Sequence, residues 1–325
     1  MSSDVVVVPV EALPSGQIED KFGDRKNPAF LYLLTMSTDQ SREKVARTLN
    51  QIAREFGYQD FLDCRWEDVD QACVLGLKTR WEILKKAPST INFALTVLRG
   101  VFKQMWLNET ISEHTYAAVR SIRRTRGSRD LRGRALTPDE TAQIISHCEA
   151  LGTLKGLRDA AIFAIGLGCG LRRSELCSIK VSNVNQKDHT IELIGKGNKM
   201  RRVFCNPAVW SHLTAWISAR AQKEPKMTKD DPLFCSIRRG GHIKTSKPLT
   251  DDGIYRMMID CAGSMGIKNF SPHDLRRTYA TRLFKAGGDI NLVRRAMGHN
   301  SVVTTQRYDL RDEDEVRTLT DRLAL

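Results

Sequence analysis

The chain has 325 residues, 41% of them hydrophobic, and a formal net charge of +13. That length suggests about two domains with ordinary hydrophobic cores, and the basic excess points to a polyanionic partner, of which nucleic acid is the commonest. The eight cysteines include no Cys-x-x-Cys pair and no His/Cys cluster at zinc spacing. This argues against a structural metal and fits reduced thiols in a cytoplasmic protein.

Residues 1–26 show no clear period. Asp4, Glu11, Glu19, Asp20 and Asp24 face the single base Lys21, so this N-terminal extension reads as a tail or a partner-contacting strap and not as a basic DNA-binding arm. Its Val5–Val8 run is too short for a signal peptide or a membrane span.

Residues 27–122 read as a helical domain. Val45, Ala46, Leu49, Ile52, Ala53 and Phe56 keep a helical period, and Gly57 can end that helix. Ser89 is the expected N-cap of a second long helix with Ile91, Ala94, Leu95, Leu98, Val101, Phe102 and Met105 on its apolar face. Thr96, Arg99 and Lys103 share another face at three- and four-residue spacing. That face is either solvated or turned into a DNA groove.

Between Arg120 and Arg134 stand seven arginines and one acid, Asp130. We take residues 123–136 as an Arg-rich linker made flexible by Gly127 and Gly133. It is either a solvated connection or a phosphate-tracking strap, with Arg123, Arg124 and Arg126 as the expected DNA contacts.

Thr137-Pro138-Asp139-Glu140 is a capping box that restarts regular structure, and residues 137–325 read as a second, mostly helical domain. Its one clear β element is a hairpin, Thr190–Ile194 and Met200–Phe204 around the turn Gly195-Lys196-Gly197-Asn198.

The chemistry-bearing residues lie in this second domain. Gly170-Leu171-Arg172-Arg173-Ser174-Glu175 is followed by the hairpin lysines Lys196 and Lys199, and then by Ser271-Pro272-His273-Asp274-Leu275-Arg276. Gly298-His299 and Tyr308 complete the set. Ser271 can cap a helix with Pro272 in its first turn, which places His273 and Arg276 on one face near a phosphate-attracting N-terminus. The plainer alternative pairs Arg276 with Asp274. Asp289 can cap the next helix, Gly298 suits its end, and Ser301 can cap one more helix carrying Tyr308. Tyrosine supplies a nucleophile, and arginine forks bind phosphate oxygens bidentately at any working pH.

In this order Arg172, Lys196, His273-x-x-Arg276, Gly298-His299 and Tyr308 resemble the tyrosine recombinases, the phage-integrase and Xer-type family. The resemblance covers residues 137–325 well and residues 27–122 more weakly. It implies a mostly α fold organised as a two-domain DNA clamp: a helical core-binding domain, and an α+β catalytic domain with a small β-hairpin. It further implies that Tyr308 attacks the scissile phosphate to give a 3′-phosphotyrosine. Arg172 and Arg276 would clamp the phosphate, His273 and His299 would hydrogen-bond it and assist proton transfer, and Lys196 would protonate the leaving 5′-oxygen. Lys199 competes with Lys196 for that last task. Glu175 either orients Arg172 or His273, or forms a simple intrahelical salt bridge.

The implied partners are duplex DNA bearing specific recombination sites and further copies of the chain, a dimer on each site and a tetramer in synapsis, with accessory DNA-bending proteins. No cofactor, no metal and no membrane is implied. Val316, Leu319, Leu323 and Leu325 form an apolar stripe that packs either on its own domain or on a neighbouring subunit. The expected role is the integrase or transposase of a mobile genetic element. The competing readings are a housekeeping Xer-type dimer resolvase, a relaxing topoisomerase and a binding-only architectural protein.

Overall fold

The computed structural model describes residues 27–127, 133–194, 200–238, 240–309 and 320–321. The chain divides into two compact units, residues 1–131 and 132–325. The N-terminal extension 1–26, the hairpin turn with Lys196 and Lys199, and the apolar positions Val316, Leu319, Leu323 and Leu325 lie outside the described residues.

In the first unit, α1 (Pro28–Leu34), α2 (Asp39–Glu55), α3 (Gln71–Ile83), α4 (Pro88–Leu107) and α5 (Glu113–Ser121) enclose one core. Helix α2 buries the periodic set Val45, Ala46, Leu49, Ile52 and Ala53, and α4 buries its whole expected apolar face with Val97 besides. Ser89 is not the cap of α4. Pro88 takes the first helical position behind Ala87, because its fixed φ and missing N–H suit that place better than a serine one residue later.

Both described ends of the Arg-rich linker make contacts with their own unit. The Asn92 side chain holds Thr125 from two sides: its Nδ2 donates to the Thr125 carbonyl (3.0 Å) and its Oδ1 accepts the Thr125 N–H (2.9 Å). The Thr125 hydroxyl also donates to Glu82 at 2.7 Å. Thr125 is thereby tied to α4 and α3. Gly133 packs closely in the second unit. At its φ of 123° an added Cβ would lie 1.9 Å from Nη1 of Arg277 and 2.3 Å from Oδ1 of Asp274.

The second unit follows with α6 (Pro138–Ala150), α7 (Leu154–Cys169) and α8 (Arg173–Ser178). Strands β1 (Val184–Asn185), β2 (Thr190–Ile194) and β3 (Met200–Phe204) form an antiparallel sheet in that order. Next come α9 (Pro207–Lys223), the antiparallel pair β4 (Cys235–Ile237) and β5 (Ile243–Pro248), and then α10 (Asp251–Ser264), α11 (Pro272–Lys285), α12 (Ile290–Met297) and α13 (Val302–Gln306).

Helix α7 is buried over most of its surface. It can be because small residues let its neighbours approach: Gly166 lies against Leu275 of α11, and Gly168 against Val209 of α9. Thr137 and Glu140 form the expected capping box on α6, with bonds of 3.1 and 2.9 Å.

Two expectations about this unit change. The β2–β3 hairpin has the expected bounds, but β1 and the β4–β5 pair are further β structure. The tetrad Ile243-Lys244-Thr245-Ser246 lacks the apolar alternation that marks a half-buried strand. Helix α13 stops at Gln306, so Tyr308 stands in the turn that follows it. Its run Val302-Val303-Thr304-Thr305 is entirely β-branched, which weakens a short helix.

Candidate active site

The site is assembled from three chain reversals. The first closes α7. Gly170 has a φ of 62°, and the Tyr279 ring sits 2.2 Å from where its Cβ would be, so only glycine fits. Two residues later Arg172 occupies the cap position of α8, and Glu175 reaches back to it. Oε2 of Glu175 accepts the Arg172 backbone N–H at 2.8 Å, and Oε1 accepts Nη1 at 2.9 Å. Of the two readings of Glu175, the structure gives a carboxylate that touches both the backbone and the guanidinium of Arg172.

The second reversal opens α11. Oδ2 of the fully buried Asp274 accepts the Ser271 N–H at 2.7 Å. The partner of Asp274 on its own helix is Arg277, at 3.3 Å, so the pairing of Arg276 with Asp274 does not occur. Arg276 is 1% exposed and turns inward. Its Nη1 donates to the Gly170 carbonyl and its Nη2 to the Met297 carbonyl, tying the end of α7 to the end of α12. Burial first, and then neighbouring Arg172, lower its pKa to about 10; it stays cationic at neutral pH.

The third reversal closes α12. Gly298 has a φ of 61°, and its carbonyl accepts Nη2 of Arg172 at 3.0 Å. His299 follows, 7% exposed, with Nδ1 2.9 Å from the Thr305 hydroxyl. Burial, followed by the fields of Arg276 and Arg172, pushes its pKa down to about 4. The His299 ring stacks on Tyr308, with centroids 5.9 Å apart and planes 20° apart. The Tyr308 hydroxyl is 2.8 Å from Nε2 of His273. Burial, then the charges of Arg277 and Arg276, hold His273 below the usual imidazole range. The Tyr308 ring packs against the small cluster of Ala280, Phe284, Val293 and Met297.

Arg172, Glu175, His273, Arg276, His299 and Tyr308 thus come together from two helices, α8 and α11, and from the segments that follow α12 and α13. Both imidazoles are driven toward their neutral forms beside the guanidiniums of Arg172 and Arg276. Such a centre can hold an anionic ester, accept a phenolic proton and avoid crowding four cations together.

Arg201, which the sequence reading passed over, joins this centre. It lies on the inner face of β3 with Val203, and its Nη2 donates to Oε2 of Glu175 at 2.8 Å. The available signal was parity, since Arg201 shares a face with an apolar residue two positions on. Beside it opens a groove of about 730 Å³, walled by Arg172, Arg201, Arg294, Arg295 and His299 among others.

The remaining expected contacts are in the first unit. Thr96 and Lys103 are exposed on one face of α4. Arg99 is half-buried, and its Nη2 donates to the Ile122 carbonyl, so it anchors the segment after α5. Arg123, Arg124 and Arg126 are exposed along the strap.

A sequence model of the phage integrase family matches residues 134–315. A tyrosine recombinase XerC of Yersinia pestis is 26% identical over 298 residues, which span 90% of this chain and 92% of that protein. Among solved structures, the Tn1549 transposon integrase in complex with transposon right-end DNA superposes with a TM-score of 0.68 at 19% identity, covering 92% of this chain and 100% of that one. A lambda integrase dimer bound to a core site superposes with a TM-score of 0.61 at 16% identity, covering 87% and 94%.

Proposed function

Because the chain belongs to the phage integrase family of tyrosine recombinases, enzymes that break and rejoin DNA strands, we propose that it recombines specific duplex sites through a 3′-phosphotyrosine formed by Tyr308. The observation that carries this reading is the 2.8 Å contact between the Tyr308 hydroxyl and a neutral-leaning His273, inside a pocket that also holds Arg172, Arg276 and His299.

In the proposed reaction the Tyr308 oxygen attacks the scissile phosphorus as its proton passes to Nε2 of His273. The phosphorus–O5′ bond breaks and the leaving oxygen takes a proton from Lys196. Arg172 and Arg276 bind the non-bridging oxygens, whose charge grows in the pentacoordinate transition state. His299, neutral and oriented by Thr305, adds a hydrogen bond to the same phosphate. Glu175 holds Arg172. Because the phosphotyrosine conserves the phosphodiester bond energy, attack by a new 5′-hydroxyl reseals the strand without a nucleotide cofactor.

The exposed Thr96 and Lys103, with Arg123, Arg124 and Arg126, are proposed to grip DNA outside the cleavage centre. Two copies would occupy each site and four would form the synapse. The partner DNA is proposed to be the end of a mobile element, as for the Tn1549 integrase. A second reading, a housekeeping Xer-type dimer resolvase, is favoured by the near end-to-end match to XerC.

A nicked duplex library with a randomised segment tests the chemistry and finds the site together, since the short fragment released by cleavage diffuses away and traps the protein on its DNA. Wild-type protein should form a covalent adduct that maps to Tyr308, and Tyr308→Phe should bind the recovered sequence and form none. An adduct that persists in Tyr308→Phe, or maps to Tyr279, overturns the reading. Sequencing the junctions formed in cells separates the two biological roles.

A further inference from the structure

Arg201 closes a ring of contacts through the site. Glu175 accepts three hydrogen bonds, two from Arg172 and one from Arg201. The other end of the Arg201 fork, Nη1, donates to the Ala296 carbonyl at 2.9 Å. That carbonyl belongs to the last turn of α12, whose terminal carbonyls have no partner within the helix. The ring closes through Gly298, whose carbonyl accepts Arg172. Gly298 also lies directly over the Arg201 side chain: a Cβ there would stand 2.9 Å from both Cδ and Nε of Arg201.

Arg201 is paired with Leu193 across the sheet, at the root of the hairpin whose turn carries Lys196. A single side chain therefore connects the hairpin, the carboxylate that holds Arg172, and the turn that presents His299. Its two Nη groups satisfy two acceptors on different elements. Lysine, with one compact ammonium, cannot reproduce that fork.

We propose that Arg201 is a positioning residue that fixes the β2–β3 hairpin, Glu175 and the Gly298–His299 turn as one body, and so sets Arg172 and the root of the lysine-bearing turn against the scissile phosphate. This rests on the recombinase reading for its catalytic consequence and on the ring geometry for its structural one. Arg201 also helps keep the Glu175 carboxyl below its ordinary range: burial alone would raise it, and the Arg172 N–H with the charges of Arg201 and Arg172 outweighs that. The same charge helps depress His299.

The test has two arms on the full chain. In the first, adduct formation on the captured nicked duplex is timed for wild type, Arg201→Lys, Arg201→Ala, Glu175→Gln and the Arg201→Ala/Glu175→Gln pair, with DNA binding and thermal midpoint measured alongside. Arg201→Ala should slow cleavage roughly a hundredfold, the size expected for a clamp displaced by about an ångström, with binding nearly intact. Arg201→Lys should recover only part of the loss. On the Glu175→Gln background the same substitution as in Arg201→Ala should cost much less. Fully additive losses, or binding and cleavage falling together, overturn the proposal.

The second arm needs no DNA. Titration of His299 by NMR should give a pKa raised above about 4 in Arg201→Ala; an unmoved His299 overturns the ring as a functional unit. If wild type forms no adduct, the recombinase reading fails on its own, and the titration still decides whether Arg201 acts on this centre.

Discussion

The hydroxyl of Tyr308 lies 2.8 Å from Nε2 of His273, and the Tyr308 ring stacks on His299. A phenol so placed can pass its proton on as it attacks, provided His273 is neutral and its Nε2 is free to accept. The structure favours that form before any DNA binds, because burial and then Arg277 and Arg276 lower the His273 pKa from 6.5.

The sign of the pH dependence follows. A lowered pKa keeps the imidazole neutral down to more acidic solution. The apparent second-order rate of adduct formation, which reports the free enzyme, should be flat from about pH 7 to 8 and should fall only below the ordinary histidine range. Replacing His273 with Gln should remove this limb and most of the rate. An acid limb centred above about 6.5 would mean that another group takes the proton.

His299 makes a separate prediction about stability. Its pKa falls from 6.5 to about 4 on folding, so between those values the unfolded chain binds a proton that the folded chain does not. Stability from this group is complete above pH 6.5, declines as the pH falls, and is exhausted near pH 4. The span corresponds to about 3 kcal/mol at most. Urea midpoints measured from about pH 7.5 to 4.5 should show a drop that His299→Asn flattens. Parallel curves for the two proteins would assign the acid sensitivity elsewhere.

The sequence revealed the elements better than it revealed the contacts between them. The apolar period of α2 and α4, the capping box on α6 and the bounds of the β2–β3 hairpin all depend on residues close together in the chain, where spacing is informative. The polar set from Arg172 to Tyr308 was legible as a series of residues because each member stands in a short, recognisable context.

Arg201 was legible only as a residue sharing the face of Val203, not in what it touches. Its neighbours Glu175 and Ala296 are far away in sequence, and a basic residue on a strand reads as solvent-facing until the sheet is seen packed. The short strands β1 and β4–β5 are defined by their pairing more than by their own pattern. Helical spacing alone also cannot show that the Arg99 guanidinium reaches the Ile122 carbonyl.

The strap after α5 sharpens the expectation for DNA binding. Thr125 ties the backbone to Asn92 and Glu82, and Arg123, Arg124 and Arg126 are exposed on either side of it. A tethered backbone spares part of the ordering cost of meeting a phosphate, while the arginine side chains still lose rotamer freedom. Replacing all three with Ala should weaken binding about equally on specific and unrelated duplexes. It should also reduce the log–log salt slope by ~0.9 for each phosphate that the variant no longer neutralises. The melting temperature should hardly change, because none of the three is buried. An unchanged slope would leave the strap as a structural brace alone.

Two lysines compete for the leaving-group proton. Lys196 and Lys199 stand three apart in the turn between β2 and β3, and the chemistry separates them where spacing does not. If Lys196 is the general acid, Lys196→Ala should cleave an ordinary phosphodiester poorly. A substrate with sulfur at the 5′-bridging position has a leaving group that needs no proton, so on it the same variant should approach the wild-type rate. Lys199→Ala should resemble wild type on both substrates. Tyr308→Phe should stay inactive on both, since sulfur in the leaving group cannot replace the nucleophile, and Arg172→Lys should gain far less than Lys196→Ala. These controls matter because a substrate that merely reacts faster would help every slow variant alike. Selective rescue of Lys199→Ala, with none for Lys196→Ala, would move the proton donor three residues along the turn.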